Sequence, residues 1–217
     1  MINLTTSSMA LIDSRPMYRQ RLSDYFKKSA KFDPITSASS VSDFYNILGR
    51  NEYDVVLCGL TPAQEAVQTL LNELKSRSIA TKIVLLAPLE QKNTIFQGLC
   101  HGATAFMPEH LPLPIMEQRL SSHMQDNYWL NPELARLLLR YFGRRYTQAR
   151  KDAPTLSDTE RDLLEMVSEG ACQRRIAEEQ KAEKKHIRAL VGGILTKLHS
   201  VHRTEQKSTT PPTLQHM

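Results

Sequence analysis

The sequence predicts two domains, an N-terminal α/β domain on a five-stranded parallel sheet and a C-terminal all-α domain. Three observations predict it. Between Met9 and Gln125 short apolar runs alternate five times with helical patterns, the mark of βα units wound over both faces of a sheet. Asp54–Leu60 (DVVLCGL) and Lys82–Ala87 (KIVLLA) contain continuous apolar runs, as strands buried on both faces require. Beyond residue 155 that alternation stops, and Ile187, Val191, Ile194, Leu195 and Leu198 recur as one helical stripe.

Taken in order, Ala10-Leu11-Ile12 reads as the first strand and Pro16–Phe26 as a helix burying Met17, Leu22, Tyr25 and Phe26. Ile35–Ala38 is the second strand and Val41–Leu48 the second helix. Asp54–Leu60 is the third strand, followed by a helix over Gln64–Lys75. Lys82–Ala87 is the fourth strand, Asn93–Cys100 a helix, Ala103–Met107 the fifth strand and Pro114–Met124 the last helix of the domain. In such a sheet a ligand or reaction site lies at the carboxyl ends of the strands.

A linker follows. Asn131 suits an N-cap and Pro132 the first turn of a helix. Leu134, Leu137, Leu138 and Tyr141 make its apolar stripe, with Trp129 expected to pack it against the first domain. Gly143–Pro154 reads as a flexible basic tether. Arg136–Asp152 holds six cations, among them Arg144 and Arg145, and one acid, so its excess of five equals the net charge of the whole chain, +5. Next, Leu163, Leu164 and Val167 form a second helical stripe that Gly170 terminates. Ile176 and Ala177 give a short element before the long helix. Opposite the apolar stripe of that helix fall Lys185, Ala189, Gly192 and Thr196, flanked by Arg188 and His186. Three helices in this order fit a helix-turn-helix whose last member enters a major groove, or a small bundle with a solvated basic face. The expected domains are 1–126, 127–154 (linker helix and tether), 155–206 and a disordered polar tail, 207–217.

Composition bounds the function. With 41% hydrophobic and 24% charged residues the chain belongs with soluble globular proteins. It has no apolar run of membrane-spanning length and no signal-peptide pattern at its start, so a cytoplasmic location without membrane contact is expected. Cys58, Cys100 and Cys172 are odd in number and far apart, and read as reduced, mostly buried thiols. No His or Cys cluster has metal-ligand spacing, the seven histidines are scattered and expected at the surface, and no nucleophile–base order or phosphate loop is present. Neither metal, cofactor nor enzymatic activity is expected.

Leu156–Glu205 resembles the DNA-binding domain of LuxR/NarL-type regulators. The resemblance rests on Leu156, Glu160-Arg161, Leu164, Glu169-Gly170, Ile176-Ala177-Glu178, Ile187, Ile194-Leu195, Lys197-Leu198 and Arg203-Thr204-Glu205, without a gap. It departs at Gln180, Glu183, Leu190 and Gly193, where the family has a core Leu, a capping Ser or Thr, a His and an Asn. Met9–Gln125 resembles the receiver domain of two-component response regulators, a flavodoxin-like fold, through Asp54–Leu57 and Gly102–Pro108. That resemblance implies an acceptor carboxylate after strand three, an acidic pair after strand one for Mg²⁺, a hydroxyl after strand four and a lysine after strand five. Here those positions hold Gly59, Asp13-Ser14, Leu86 and Glu109. The domain therefore reads as a pseudo-receiver, in which Asp13 keeps a surface or capping role and Asp54, at the opposite sheet edge, is no substitute acceptor.

The resemblance makes double-stranded DNA the expected partner. Lys184, Lys185 and Arg188 would approach it first. The family's contacting positions fall on Arg188, Ala189 and Gly192, and Lys197, Arg203, Arg144 and Arg145 would meet phosphate. A related subgroup binds cyclic di-GMP through a Trp-apolar-Ser/Thr-Arg motif after the receiver, but Trp129-Leu130-Asn131-Pro132 lacks the arginine, so that ligand is not expected. The family's helix after Arg203-Thr204-Glu205 is expected to be absent or very short, leaving a homodimer or heterodimer to the receiver-like domain or linker helix. The leading expectation is a DNA-binding transcriptional regulator controlled without phosphorylation. The alternative is an adaptor or antagonist that binds another regulator, favoured by two glycines, Gly192-Gly193, inside the reading helix.

Overall fold

A computed structural model describes residues 6–48, 53–60, 69, 71, 81–124, 130, 132–147, 155–171, 176 and 184–208. The chain divides into two compact units, Met1–Trp129 and Leu130–Met217. The helix expected over Gln64–Lys75, the packing of Trp129 and the state of residues 209–217 lie outside the described residues.

The first unit contains β1 (Ser7–Ile12), α1 (Pro16–Lys28), β2 (Phe32–Ala38), α2 (Val41–Leu48), β3 (Val55–Gly59), β4 (Lys82–Ala87), α3 (Lys92–His101), β5 (Ala105–Pro108) and α4 (Leu113–Met124). All strands are parallel, in the order β2-β1-β3-β4-β5. This is the doubly wound order with its topological switch between β1 and β3. Strands β3, β4 and β5 are almost wholly buried, as their apolar runs require. The register sets Ile12 beside Cys58, Gly59 beside Leu86 and Ala87 beside Pro108, so the residues after β1 and β5 and the end of β3 share one edge.

The core on one face of the sheet joins Met9, Leu11, Val55, Leu57, Val84 and Leu86 to Leu22 and Phe26 of α1 and Met116 and Leu120 of α4. Phe26 lies edge-on to Phe32 at a centroid distance of 5.5 Å. Met17, expected in the buried face of α1, is 83% exposed. Tyr18 takes the inward place instead, because it stands four residues before Leu22 and eight before Phe26. Two histidines expected outside are buried: His101, with Nδ1 2.7 Å from the Gln97 carbonyl, and His123, with Nε2 3.0 Å from Thr104 Oγ1. Cys58 and Cys100 are buried, as expected.

The second unit contains α5 (Pro132–Thr147), α6 (Asp158–Ser168) and α7 (Lys184–Ser208). α5 packs on α6, and α6 on α7. One expectation is corrected. The tether was to begin at Gly143, but α5 continues through Gly143, Arg144 and Arg145 to Thr147. Its most buried residues are Leu134, Ala135, Leu138 and Phe142, while Leu137 and Tyr141 are half-buried. α7 is one unbroken 25-residue helix that carries Arg203-Thr204-Glu205 and Gly192-Gly193 without interruption, and whether a further helix follows lies outside the described residues.

Phe26 stands at the centre of the first unit's core. Phe26→Ala should cost about 3–5 kcal/mol of that unit's stability in denaturant unfolding. A loss below about 1 kcal/mol would contradict this packing.

Candidate functional site

The carboxyl edge of the sheet carries a bridged cluster of charges. β1 ends in Ile12, and Asp13, whose backbone N–H still bonds the Ala38 carbonyl, is only 1% exposed. A buried carboxylate needs a partner of opposite charge and filled lone pairs. Arg15 supplies both. Its backbone N–H and its Nε donate to Asp13 Oδ1 at 2.9 and 3.0 Å, and Nη2 donates to Oδ2 at 2.8 Å. The other arm of the guanidinium, Nη1, donates to Glu109 Oε2 at 2.7 Å. One arginine thus ties the loop after β1 to the loop after β5.

Tyr18, one turn into α1, lies under that guanidinium, with the Arg15 Cζ 4.4 Å from its ring centroid. Its hydroxyl donates to the Glu109 carbonyl at 2.8 Å. Arg19 donates to the Asp13 carbonyl. Hydrogen bonding to Asp13 raises the Arg15 pKa most, with Glu109 adding to it against burial. Burial, with the Glu109 carboxylate second, pushes the Tyr18 phenol up to about 12. Burial first, and then Asp13, pushes the neighbouring Cys58 thiol up to about 12, so it stays protonated.

The positions read from the sequence fall as follows. Gly59 ends β3 directly beneath Asp13, and a Cβ there would lie 2.2 Å from Asp13 Oδ2 and 2.8 Å from its Cγ. The space a side chain at 59 would need is therefore filled by the Asp13 carboxylate. Leu86 is fully buried in the sheet core and Ala87 follows it. Glu109 follows β5, with its N–H on the Ala87 carbonyl, and is the far anchor of the bridge. Ser14 is exposed. Asp13 holds the entry to α1 through the Arg15 N–H, but its surface role is corrected, because it is the buried centre of an ion bridge. Asp54 binds Ser8 through the Ser8 N–H and hydroxyl at 2.7 and 2.8 Å, at the opposite edge. Sequence reasoning missed Arg15 and Tyr18. An arginine two residues after a strand-end acid was the available signal, but its second partner lies 94 positions away.

In the second unit the helix pair is fastened by Glu160. Ser157 caps α6 in a reciprocal box: its hydroxyl accepts from the Glu160 N–H at 3.3 Å, and Glu160 Oε2 accepts from the Ser157 N–H at 2.7 Å. The same buried carboxylate receives the ammonium of Lys197 on α7. Lys197 was expected to face phosphate, but its charge is held inward by Glu160. A Cβ on Gly193 would lie 3.0 Å from Glu160 Oε1, so the glycine lets α7 approach α6 closely.

Val191, Ile194, Leu195 and Leu198 are buried, whereas His186, Ala189 and Thr196 are exposed and Gly192 half-buried. The outward face is thus the one the periodicity assigned. Positions 184, 185, 188 and 203 lie on α7, and 144 and 145 on α5; these side chains are outside the described residues. Arg136 Nη2 donates to the Ser168 carbonyl at 2.6 Å, placing a cation at the C-terminus of α6.

No protein-family model matches the chain. Over 211 residues it is 24% identical to the nitrate/nitrite response regulator protein NarL of Escherichia coli (strain K12), covering 94% of this chain and 95% of that protein. Over 201 residues it is 20% identical to the glycerol metabolism activator of Pseudomonas putida, covering 90% of each. Among solved structures it resembles an RcsB–DNA complex, with a TM-score of 0.54 at 15% identity over 95% of this chain and all of that one. It also resembles the Salmonella typhimurium RcsB response regulator, with a TM-score of 0.54 at 14% identity over 93% and 99%. The likeness to the solved chains extends through both units and concerns the fold. No helix among the described residues is long and apolar enough to cross a membrane.

Arg15→Ala strands the Asp13 carboxylate in the protein interior. It should cost roughly 3 kcal/mol, the lower end for removing one partner of a buried pair, since Arg15 itself is partly exposed. Thermal unfolding with Arg15→Ala/Asp13→Asn alongside checks this. The double variant should recover part of the loss, and no recovery would mean that the arginine acts through something other than Asp13.

Proposed function

We propose that this chain is a DNA-binding transcriptional regulator of the response-regulator type, similar to the LuxR/NarL group, whose receiver-like unit works without phosphoryl transfer. The DNA half of the reading is supported by the exposed face of α7, seated on α6 by its apolar stripe, and by the full-length likeness to regulators, RcsB among them in complex with DNA. Arg188, with Lys184 and Lys185, would enter the major groove. Ala189 and Gly192 would line the contact, and Arg203 would meet phosphate. Lys197 leaves this set, since Glu160 holds it.

The Arg15 bridge is the observation that carries the other half. Phosphoryl transfer to a carboxylate needs a free nucleophilic oxygen, a cation to offset the charge and room for the phosphate. Both Asp13 oxygens accept bonds from Arg15, the guanidinium supplies a fixed positive charge, and the space above Gly59 is filled. Glu109 presents a negative charge where a phosphate would need a positive one. The input is then a protein or small-molecule contact.

Two measurements test the two halves. Mobility-shift titration should show Arg188→Ala weakened by about 1–3 kcal/mol on a specific duplex if Arg188 reads a base. Equal binding by that variant would remove Arg188 as a reader. Incubation with acetyl phosphate or beryllofluoride and Mg²⁺ should change neither the mass of the protein nor its DNA affinity. A covalent phosphoryl adduct on the first unit would overturn the phosphorylation-free reading.

The alternative, an adaptor that binds another regulator, was motivated by the two glycines of α7. The helix nevertheless runs unbroken through both glycines, and co-purification of a partner regulator with no DNA binding at low salt would favour this alternative.

A further inference from the structure

The helix-turn-helix stretch, residues 155–206, contains nine Lys or Arg and nine Asp or Glu. It is a neutral module, and one of its cations, Lys197, is spent on Glu160. DNA affinity rests largely on neutralised phosphates. A reader with no net charge gains affinity from cations supplied beside it.

The structure places a source beside it. α5 packs on α6 through Leu134, Ala135, Leu138 and Phe142. At about 100° per residue, positions 136, 140 and 144 fall on the opposite side of the helix, in one row at i, i+4 and i+8. Arg136 and Arg140 are exposed. Arg145 falls on the packed side and does not belong to the row. Glu133, three residues before Arg136, is the one acid on α5, so from Arg136 to Thr147 the helix itself carries cations and no acid. Arg136 also hooks the Ser168 carbonyl at the end of α6, which fixes the near end of the row to the reading module.

We infer that the outer face of α5 is a phosphate-binding rail, with Arg140 and Arg144 contacting the DNA backbone and Arg136 holding the rail to α6. This rests on the DNA-reading function proposed above and deepens it. α5 would be a fourth, rigid member of the DNA-binding unit rather than a connector. Its contacts are to phosphate alone, so they add affinity and register without sequence preference.

The test uses the full chain and a duplex selected by the wild-type protein from a random-sequence pool, titrated by fluorescence anisotropy between 50 and 200 mM salt, the range over which about 0.9 in the log–log salt slope is lost per phosphate contact. Arg140→Ala/Arg144→Ala should flatten the slope by about 1.8 and leave the ranking of single-base variants of the site unchanged. Arg140→Lys/Arg144→Lys should retain the wild-type slope, since charge and not packing carries the contact. An unchanged slope in the alanine variant, or an equal loss in the lysine variant, overturns the rail. Failure of the wild-type chain to select or retain any duplex at 50 mM salt overturns the DNA-reading function itself and is read separately, from the wild-type arm.

Discussion

The arrangement at the mouth of the sheet follows from one constraint, that Asp13 is buried and charged. A carboxylate at that depth survives only with a cation and donors for its lone pairs, and Arg15 gives it three N–H groups. Other features depend on that pairing. Tyr18 lies with its ring centroid 4.4 Å from the Arg15 Cζ on the inward side of α1, and Met17 is outside. Glu109 finds its counter-charge on the second arm of the same group, which draws the loop after β5 toward the loop after β1. Position 59 must be glycine, because the pinned carboxylate lies where a Cβ would go. Gly59 and Glu109 therefore belong to one internally consistent arrangement built around Arg15.

The legible parts of the fold were those with a strong period. Strands β3 and β4, helix α2 and the buried stripe of α7 were readable to within a residue or two because continuous apolar runs and helical spacing are local signals. β1 and β2 each extend three residues further upstream than their apolar cores suggested, since backbone pairing with β3 and with each other sets a strand's length once it lies in a sheet. The end of α5 was misplaced for a related reason. Gly143 looked like a stop, but a glycine inside a helix costs only about 1 kcal/mol against alanine, and the helix runs on to Thr147.

The site was half legible. Its four strand-end positions could be named from the sequence, since register fixes which residues reach the edge. Their partners could not. Whether Asp13 faces water or a guanidinium depends on Arg15, and whether Arg15 is free depends on Glu109, 94 residues on. The same holds in the second unit. Lys197 belongs by spacing to a helix beside DNA, yet its charge turns inward because Glu160, whose carboxylate already caps α6, is buried within reach. Gly193 read alone is a weak point in a helix; beside Glu160 it leaves room that a Cβ would crowd.

The two units thus use the same device for different ends. In each, a buried carboxylate receives one cation and caps the start of a helix, α1 through the Arg15 N–H and α6 through the Ser157 N–H. In each, that cation's charge is directed inward to the carboxylate, although the side chain stays partly exposed. With Arg15 and Lys197 held in internal pairs, on the proposed reading charge to meet DNA must come from other cations, and one stretch is rich in them. The excess of six cations over one acid between Arg136 and Asp152 equals the net charge of the whole protein, and its helical half is seated on the reader by Leu134, Leu138 and Phe142. On the proposed reading, specificity would come from the outward face of α7 and attraction from the charge along α5, so a change in salt would alter the second far more than the first.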